Sequence, residues 1–362
     1  MGGEEFYIVG GGPAGAGAAV AASRAGFRPV VYEAHEKLAA KPCGRGIPVV
    51  GDLDFIDIPR EAILNKIKSA VMYVNGEFLF ELRNVFEGYI VDKGMMLEAI
   101  ITSSGGEVRY RSRFDVNRGV VRKPGEGYIK ISKGIFAGGH MYYSGERIGA
   151  IQWILESRRY SDSDTLEIYF DTELLGYYYV FPHGEGEVEV GVGGFEDFGR
   201  LRARLERFLR SREDLRDARR LRIEGARIAV GGLDLGYAGG LVKAGEAAGF
   251  VLPLTGEGIR PSMISGYIAA RAIAENRDPL KALSESWVAR AVAIQRRILE
   301  YAKSLSPGER AWLLKSLTPR AHAEIALGRM NYRVLAVELA RSRGVAHLAA
   351  RLLKYLSSLG RA

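Results

Sequence analysis

The strongest constraint on this chain lies at its beginning. Residues 6–33 read FYIVGGGPAGAGAAVAASRAGFRPVVYE. The apolar run 6–9, rich in aromatic and β-branched residues, predicts a strand. A glycine turn follows, and the small residues up to Gly26 predict a helix. Residues 28–34 predict a second strand, which carries Glu33 at its end. Strand, helix and strand in such a short span make a βαβ unit, and so a parallel sheet.

The spacing Gly10-x-Gly12-x-x-Gly15 falls between the first strand and the helix. Gly10 makes the tight turn, Gly12 lets backbone approach a pyrophosphate, and Gly15 lets helix and strand pack closely. The pyrophosphate then meets the positive end of the helix. Gly10, Gly12, Pro13, Ala14 and Gly15 are therefore the candidate cradle. Glu33 can accept hydrogen bonds from a ribose diol. An acid there favours a free 2′-hydroxyl, hence FAD or NAD rather than NADP.

Composition narrows the setting. The chain has 362 residues, 47% hydrophobic and 26% charged, enough for two or three globular domains. No run of 18 apolar residues predicts a membrane span. The N-terminus enters a strand directly, without the pattern of a secretory signal. The single cysteine, Cys43, excludes an internal disulfide and a cysteine-rich zinc site. No metal constellation is present in the pattern, and a cytoplasmic location is expected. The net charge of +8 allows weak attraction to anionic lipid or nucleic acid; an arginine-rich solvated surface explains it equally well. Arg and Glu are plentiful while Asn and Gln are sparse, a thermophile-like balance.

Further along, residues 71–91, 107–137 and 164–194 read as strands, the last group with a hairpin turned at 183–186. Residues 92–105 and 196–220 read as helices, and the chain is helical from 276 onward, with breaks at Pro307 and Pro319. One stretch fits neither element: AGEAAGFVLPLTGEGIRPSMISG, residues 244–266, with five glycines and two prolines in an apolar run. Here backbone must approach something closely.

That stretch resembles the second flavin motif of FAD-dependent oxidoreductases of the aromatic-hydroxylase type. More closely it resembles the geranylgeranyl reductase family, whose pattern runs roughly GDAAGfvnPltGeGI before a helix. Glu246 stands at the usual aspartate, one methylene longer. The resemblance implies that Glu246 reaches ribityl or ribose hydroxyls of FAD, with Gly245 and Gly249 passing the pyrophosphate. Pro253, Gly256, Glu257 and Gly258 would form the loop along the flavin. A helix starting near Ile259 would aim its positive end at the flavin's pyrimidine side. KPCGRGIP (41–48) is similar to the family's PCGeGl segment and implicates Cys43 and Gly44, with Arg45 replacing an acid. GYIVDKGMMLEAI (88–100) resembles its vdR..fd..L segment, with Lys93 for arginine. LLGYYYVFP (174–182) resembles the substrate-facing P-x-x-Y-x-W-x-F-P motif. Tyr177, Phe181 and Pro182 match; Leu174 and Tyr179 depart.

The expected fold is α/β: a Rossmann-like FAD-binding domain (1–50, 89–150 and 233–275) interleaved with a β-sheet substrate domain (51–88 and 151–232). A helical region, 276–362, follows. The implied activity is saturation of prenyl C=C bonds in an isoprenoid lipid or quinone. An isolated trisubstituted alkene needs a hydride on one carbon and a proton on the other, so it needs a positioned acid in a dry, aromatic-lined site. Tyr177, Tyr179 and Cys43 are the catalytic candidates, with Tyr177, Cys43 or a water between them as proton donor. The alternatives are strand packing for the tyrosines and a small buried hydrophobe for Cys43. Alternation sends Tyr177, Tyr179 and Phe181 to one face and Tyr178 and Val180 to the other. His140 and His183 lie in glycine-rich loops and read as exposed or capping residues.

Aromatic hydroxylases of this fold carry an Asp-Gly motif near FAGGH (136–140), which has no aspartate. Its absence weakens the monooxygenase or halogenase alternative and favours a small redox protein over free NAD(P)H as electron donor. An FAD protein acting with nucleic acid is a further alternative, but no basic groove interleaved with aromatic residues supports it. The segment AHLAARLLKYLSSLG (346–360) reads either as a covering helix or as a basic amphipathic surface for peripheral membrane contact.

Overall fold

The computed structural model describes residues 4–329, apart from positions 124, 126 and 132. The amphipathic segment 346–360 lies outside the described residues.

The chain starts with β1 (Glu5–Val9), α1 (Pro13–Arg24) and β2 (Arg28–Tyr32), the two strands parallel. It then leaves this sheet for a second one, through β3 (Gly46–Val49), β4 (Ile63–Val74) and β5 (Glu77–Val91). Helix α2 (Lys93–Ser103) is capped by the Asp92 side chain and returns the chain to β6 (Glu107–Arg109), beside β2. A small antiparallel sheet follows: β7 (Arg113–Asp115), β8 (Val120–Lys123) and β9 (Gly127–Lys130). Strand β10 (Gly134–Phe136) then slots in parallel to β1.

Next come four strands of the second sheet: β11 (Arg147–Glu156), β12 (Thr165–Asp171), β13 (Gly176–Gly184) and β14 (Glu187–Gly194). Helix α3 (Phe198–Ser211) packs on them and β15 (Arg219–Ala229) closes that edge. Strands β16 (Tyr237–Ala238) and β17 (Leu241–Lys243) rejoin the first sheet. Helices α4 (Ile259–Ala274), α5 (Pro279–Ser284), α6 (Trp287–Lys303), α7 (Pro307–Ser316) and α8 (Pro319–Ala326) complete the described chain.

The first sheet has the order β16-β17-β10-β1-β2-β6, and the second β15-β11-β14-β13-β12-β4-β5-β3. The chain thus crosses between the sheets repeatedly, as the interleaved α/β class requires. Pro307 and Pro319 each begin a helix, where a missing N–H costs nothing. Among the described residues no helix is long and apolar enough to cross a membrane.

The helix expected over 196–220 is shorter than that. It ends at Ser211, and residues from Arg219 onward form β15. Arg212 leaves helical geometry to pair with Glu167 and Asp214. The alternating stretch RRLRIEGARIA then finds hydrogen-bonding partners along β11.

The small residues of α1 have a direct cause. Helix α4 crosses α1 with backbone against backbone. A Cβ on Gly17 would lie 2.1 Å from the Met263 carbonyl oxygen, and one on Gly266 would lie 1.9 Å from that of Ala14. No side chain fits at either point. Gly266→Val is therefore expected to destabilise the protein by about 3 kcal/mol or more and to lower the Tm by several degrees. Gly308→Ala in α7, where an added Cβ meets nothing within 4 Å, should leave the Tm essentially unchanged. Thermal melts of the two variants side by side check this.

Candidate functional site

The first glycine turn is shaped by two close approaches. A Cβ on Gly10, which has φ +100°, would sit 2.4 Å from the Ala137 carbonyl oxygen. One on Gly15 would sit 2.2 Å from that of Gly10. Gly12 differs: a Cβ there meets no protein atom within 4 Å. Gly12 also caps α1 without any side-chain hydrogen bond, with Pro13 next. Backbone N–H groups at the helix's positive end thus face a space that protein does not fill, which suits a pyrophosphate. Glu33 is nearly buried at the end of β2. Its carboxylate accepts from the Gly11 N–H at 2.9 Å and from the His35 N–H at 2.9 Å, and meets His35 Nδ1 at 2.7 Å.

The second glycine stretch runs past the same helix end. Gly245 (φ +64°) donates its N–H to Ser265 Oγ at 2.9 Å, and a Cβ on it would meet Ala14 Cβ at 2.7 Å. Gly249 (φ +77°) abuts the Gly232 carbonyl oxygen. Glu246 binds Lys41 Nζ at 2.5–2.6 Å and accepts from the Ala229 N–H at 3.1 Å. Lys93 Nζ in turn donates to the Lys41 carbonyl at 2.6 Å. Pro253 and Ile259 are buried, and Gly258 caps α4 with no side-chain bond. Glu257 does not face outward from the loop. Its carboxylate receives Arg260 Nε and Nη2 at 2.9 and 2.8 Å. Arg260 is wholly buried, and also reaches Asp52 and the Leu327 carbonyl. Burial pushes the Glu257 carboxyl up, against the opposing pull of Arg260.

Strand β13 faces this loop. The Tyr177 hydroxyl donates to the Thr255 carbonyl and lies 4.0 Å from the point a Cβ on Gly256 would occupy. Burial pushes the Tyr177 phenol up to about 12, with Glu257 adding to it. Tyr177, Tyr179 and Phe181 form a row, with centroids 6.2 and 4.7 Å apart. Tyr178 points the other way and stacks on Phe208 of α3 at 4.7 Å. The alternation read from YYYVFP matches this arrangement. Gly44 packs against Phe181, a Cβ there coming within 3.2 Å of the ring. Cys43 is half-buried beside it and accepts from the Arg45 N–H at 3.4 Å. Cys43 adds to the forces that raise the Tyr179 phenol, after burial and Glu189.

Sequence reasoning missed the groups behind this row. His183 is buried, not exposed: burial is 96% complete, because the hairpin turn tucks under β4. Its Nδ1 meets Glu187 Oε1 at 2.9 Å, and its Nε2 lies 3.4 Å from Glu189 Oε2. Burial pushes the imidazole down, but the Glu187 hydrogen bond and the Glu189 carboxylate outweigh it and hold its pKa above 6.5. Glu189 is fully buried, and neither carboxylate oxygen has a hydrogen-bond partner. Gln152 of β11 accepts from the Tyr179 hydroxyl at 2.9 Å, across Gly191, where any Cβ would strike the tyrosine ring. The signal was present in EVEVGVGG: the valines mark one face, and Glu187, Glu189 and Gly191 share the other. His140 is half-buried in a short turn, and burial, then Lys41, pushes its pKa down.

Two glycine cradles meeting at two helix N-termini, beside an aromatic sheet face, define a dinucleotide-binding oxidoreductase of the flavoprotein class. Residues 8–41 match the NAD(P)-binding Rossmann-like domain. The chain is 30% identical over 297 residues to the geranylgeranyl diphosphate reductase of Rhodobacter capsulatus, covering 74% of each. It is 25% identical to the digeranylgeranylglycerophospholipid reductase of Methanocaldococcus jannaschii, covering 83% of this chain and 86% of that one. The crystal structure of a geranylgeranyl bacteriochlorophyll reductase-like protein from Thermoplasma acidophilum superposes with a TM-score of 0.75 at 21% identity, covering 96% and 99%. The chain belongs to the geranylgeranyl reductase family.

The His183–Glu187 contact has a readable pH dependence. His183 is raised in the fold, so its contribution is complete below pH 6.5 and is lost as pH rises through the folded value. Glu187 is lowered, chiefly by His183, so its contribution is complete above pH 4.5 and is lost as pH falls through its folded value. The Tm difference between wild type and His183→Gln should therefore peak between pH 4.5 and 6.5 and shrink on either side. Thermal melts across that range check it.

Proposed function

We propose that this protein is an FAD-dependent reductase that saturates prenyl double bonds of an isoprenoid lipid or quinone. The observation that carries the reading is the meeting of the Tyr177–Tyr179–Phe181 row with Gly44 and the 253–258 loop. The named activities of the Rhodobacter and Methanocaldococcus relatives support it.

In this reading residues 1–50, 89–150 and 233–275 hold FAD, and 51–88 and 151–232 shape the substrate side. Gly10, Gly12, Pro13, Ala14, Gly15 and Gly245 cradle the pyrophosphate, and Glu33 takes the adenosine ribose. Glu246, with Lys41 and Lys93 behind it, serves the hydroxyl-bearing chain between pyrophosphate and ring. Cys43, Gly44, Pro253, Gly256, Gly258 and Ile259 border the ring. Glu257 contributes through the loop it fixes to Arg260. Bound there, FAD would supply the hydride. The chain's own residues hold the alkene flat, exclude water and bring a proton, with the Tyr177 hydroxyl and Cys43 thiol nearest that task. A monooxygenase would use the same fold, but residues 136–140 lack the acid for it. We therefore read a small reduced redox protein as electron donor. Peripheral contact with a membrane surface is the natural route to a lipid substrate.

Gly12→Val tests the cofactor. The added side chain meets no protein atom at its Cβ, so the fold should persist while the yellow flavin absorbance is lost. A folded variant that retains stoichiometric FAD would refute the cradle.

Turnover and electron entry test the chemistry. Tyr177→Phe should reduce alkene saturation about tenfold or more while leaving flavin bound, and Tyr178→Phe should change it little. Reduction by dithionite or a reduced redox protein should be fast and by free NADPH slow. Rapid bleaching by NADPH followed by oxygen uptake, read by stopped flow, would restore the monooxygenase.

A further inference from the structure

The alkene reaction needs a proton inside a dry site, and the residues nearest to it are poor stores of one. The Tyr177 phenol is pushed up to about 12, chiefly by burial. Tyr179 is also raised well above its ordinary value, first by burial and then by Glu189. Its hydroxyl proton is also engaged with Gln152. A phenol of this kind can relay a proton but gives one up reluctantly unless it is replaced at once.

Behind the aromatic row lies an unexplained arrangement. Glu189 is buried completely, opposite Phe181 in the β13–β14 register, with neither oxygen accepting a hydrogen bond. Leaving a carboxylate so placed is costly, and such groups persist where they have work to do. One oxygen lies 3.6 Å from the point a Cβ on Gly44 would occupy, so it looks towards the segment that borders the proposed ring site. The other lies 3.4 Å from His183 Nε2. That separation is in ion-pair range but not aligned as a hydrogen bond, so a small turn of either side chain completes a proton path. On its far side His183 holds Glu187, which is one-third exposed.

We propose that Glu189 and His183 form a buried proton-supplying pair for alkene reduction, refilled from solvent through Glu187. The proposal rests on the prenyl reductase reading and names the proton source that reading leaves open. Glu187 and Arg45 face His183, and Tyr179 faces Glu189; Arg222 acts on Glu187, and Tyr177 and Cys43 act on Tyr179. Arg45 and Arg222 offset the negative charge of Glu187.

The balance is simple. As the π bond breaks, one carbon would take a hydride supplied by bound reduced flavin, which would be oxidised by two electrons. The other carbon takes a proton. That proton leaves the His183 imidazolium by way of the Glu189 carboxylate and the adjoining Tyr179 side. The neutral imidazole regains a proton from solvent through Glu187. Glu189 and His183 are positioning and supply residues, since neither is shown touching the reacting atoms.

The test uses the flavin-loaded enzyme, reduced by dithionite under argon, with a geranylgeranylated lipid as probe. Glu189→Gln should keep its flavin, lose about 100-fold in turnover and move the His183 15N titration to lower pH. Glu187→Gln, altered only at the one-third-exposed end, should be slow in dilute buffer and recover as a small acid such as imidazolium is added. Glu189→Gln turnover within twofold of wild type, or an unmoved His183 titration, overturns the pair. Should Glu189→Gln fail to fold, absence of both slowing and buffer rescue in Glu187→Gln overturns it. Flavin-loaded wild type that leaves the prenyl alkene untouched overturns the functional reading instead.

Discussion

The contact on which this architecture depends is the backbone-to-backbone crossing of α1 and α4 at Gly17 and Gly266. It locks α1 against α4 through the first half of each helix, and each helix is capped by a glycine that brings no side-chain acceptor of its own. Each N-terminus carries its own partial positive charge and favours negative charge beside it. Alanines and glycines in α1 are therefore chosen by distance. A helix with ordinary Leu or Val on that face would hold the two helices apart.

The second sheet is the other half of the design. One face packs its valines on α3, through Val188, Val190 and Val192 with Leu201, Leu205 and Leu209. The opposite face carries tyrosines, glutamates and glycines, which in an isolated sheet would face water. Here the dinucleotide-binding part covers it. Arg260 ties the two together: buried fully, it joins the 253–258 loop through Glu257, the early segment through Asp52 and the C-terminal helices through Leu327. Removing one partner from such a buried cluster leaves charge without compensation. The loop beside Tyr177 is thus held by a buried ion cluster.

Much of this was legible in the sequence. The βαβ start, the acid at Glu33 and the glycine-rich 244–266 stretch each have a local cause, and local causes can be read from spacing. The row of Tyr177, Tyr179 and Phe181 followed from simple alternation. What escaped depended on a second surface. His183 sat in a loop-like HGEG turn, and nothing nearby in sequence says that β4 will cover it. Glu187 and Glu189 alternate with valines just as a solvent-facing pair would; only the covering domain buries Glu189 and leaves Glu187 one-third exposed. The end of α3 was misread because helix propensity continues past Ser211, while the Arg212 partners Glu167 and Asp214 belong partly to a distant strand.

The α1–α4 crossing also bears on how the protein is made. Helix α1 leaves the ribosome long before its cover, which starts at Ile259. At about 5–20 residues per second, the interval is on the order of tens of seconds. Strands β10 and β17, which complete the sheet around β1, arrive late as well. Throughout synthesis the nascent chain must carry a helix that cannot yet be buried. Its face of alanine and glycine offers little apolar area for errant association, so the same small residues that permit the final crossing also keep the unfinished protein from sticking.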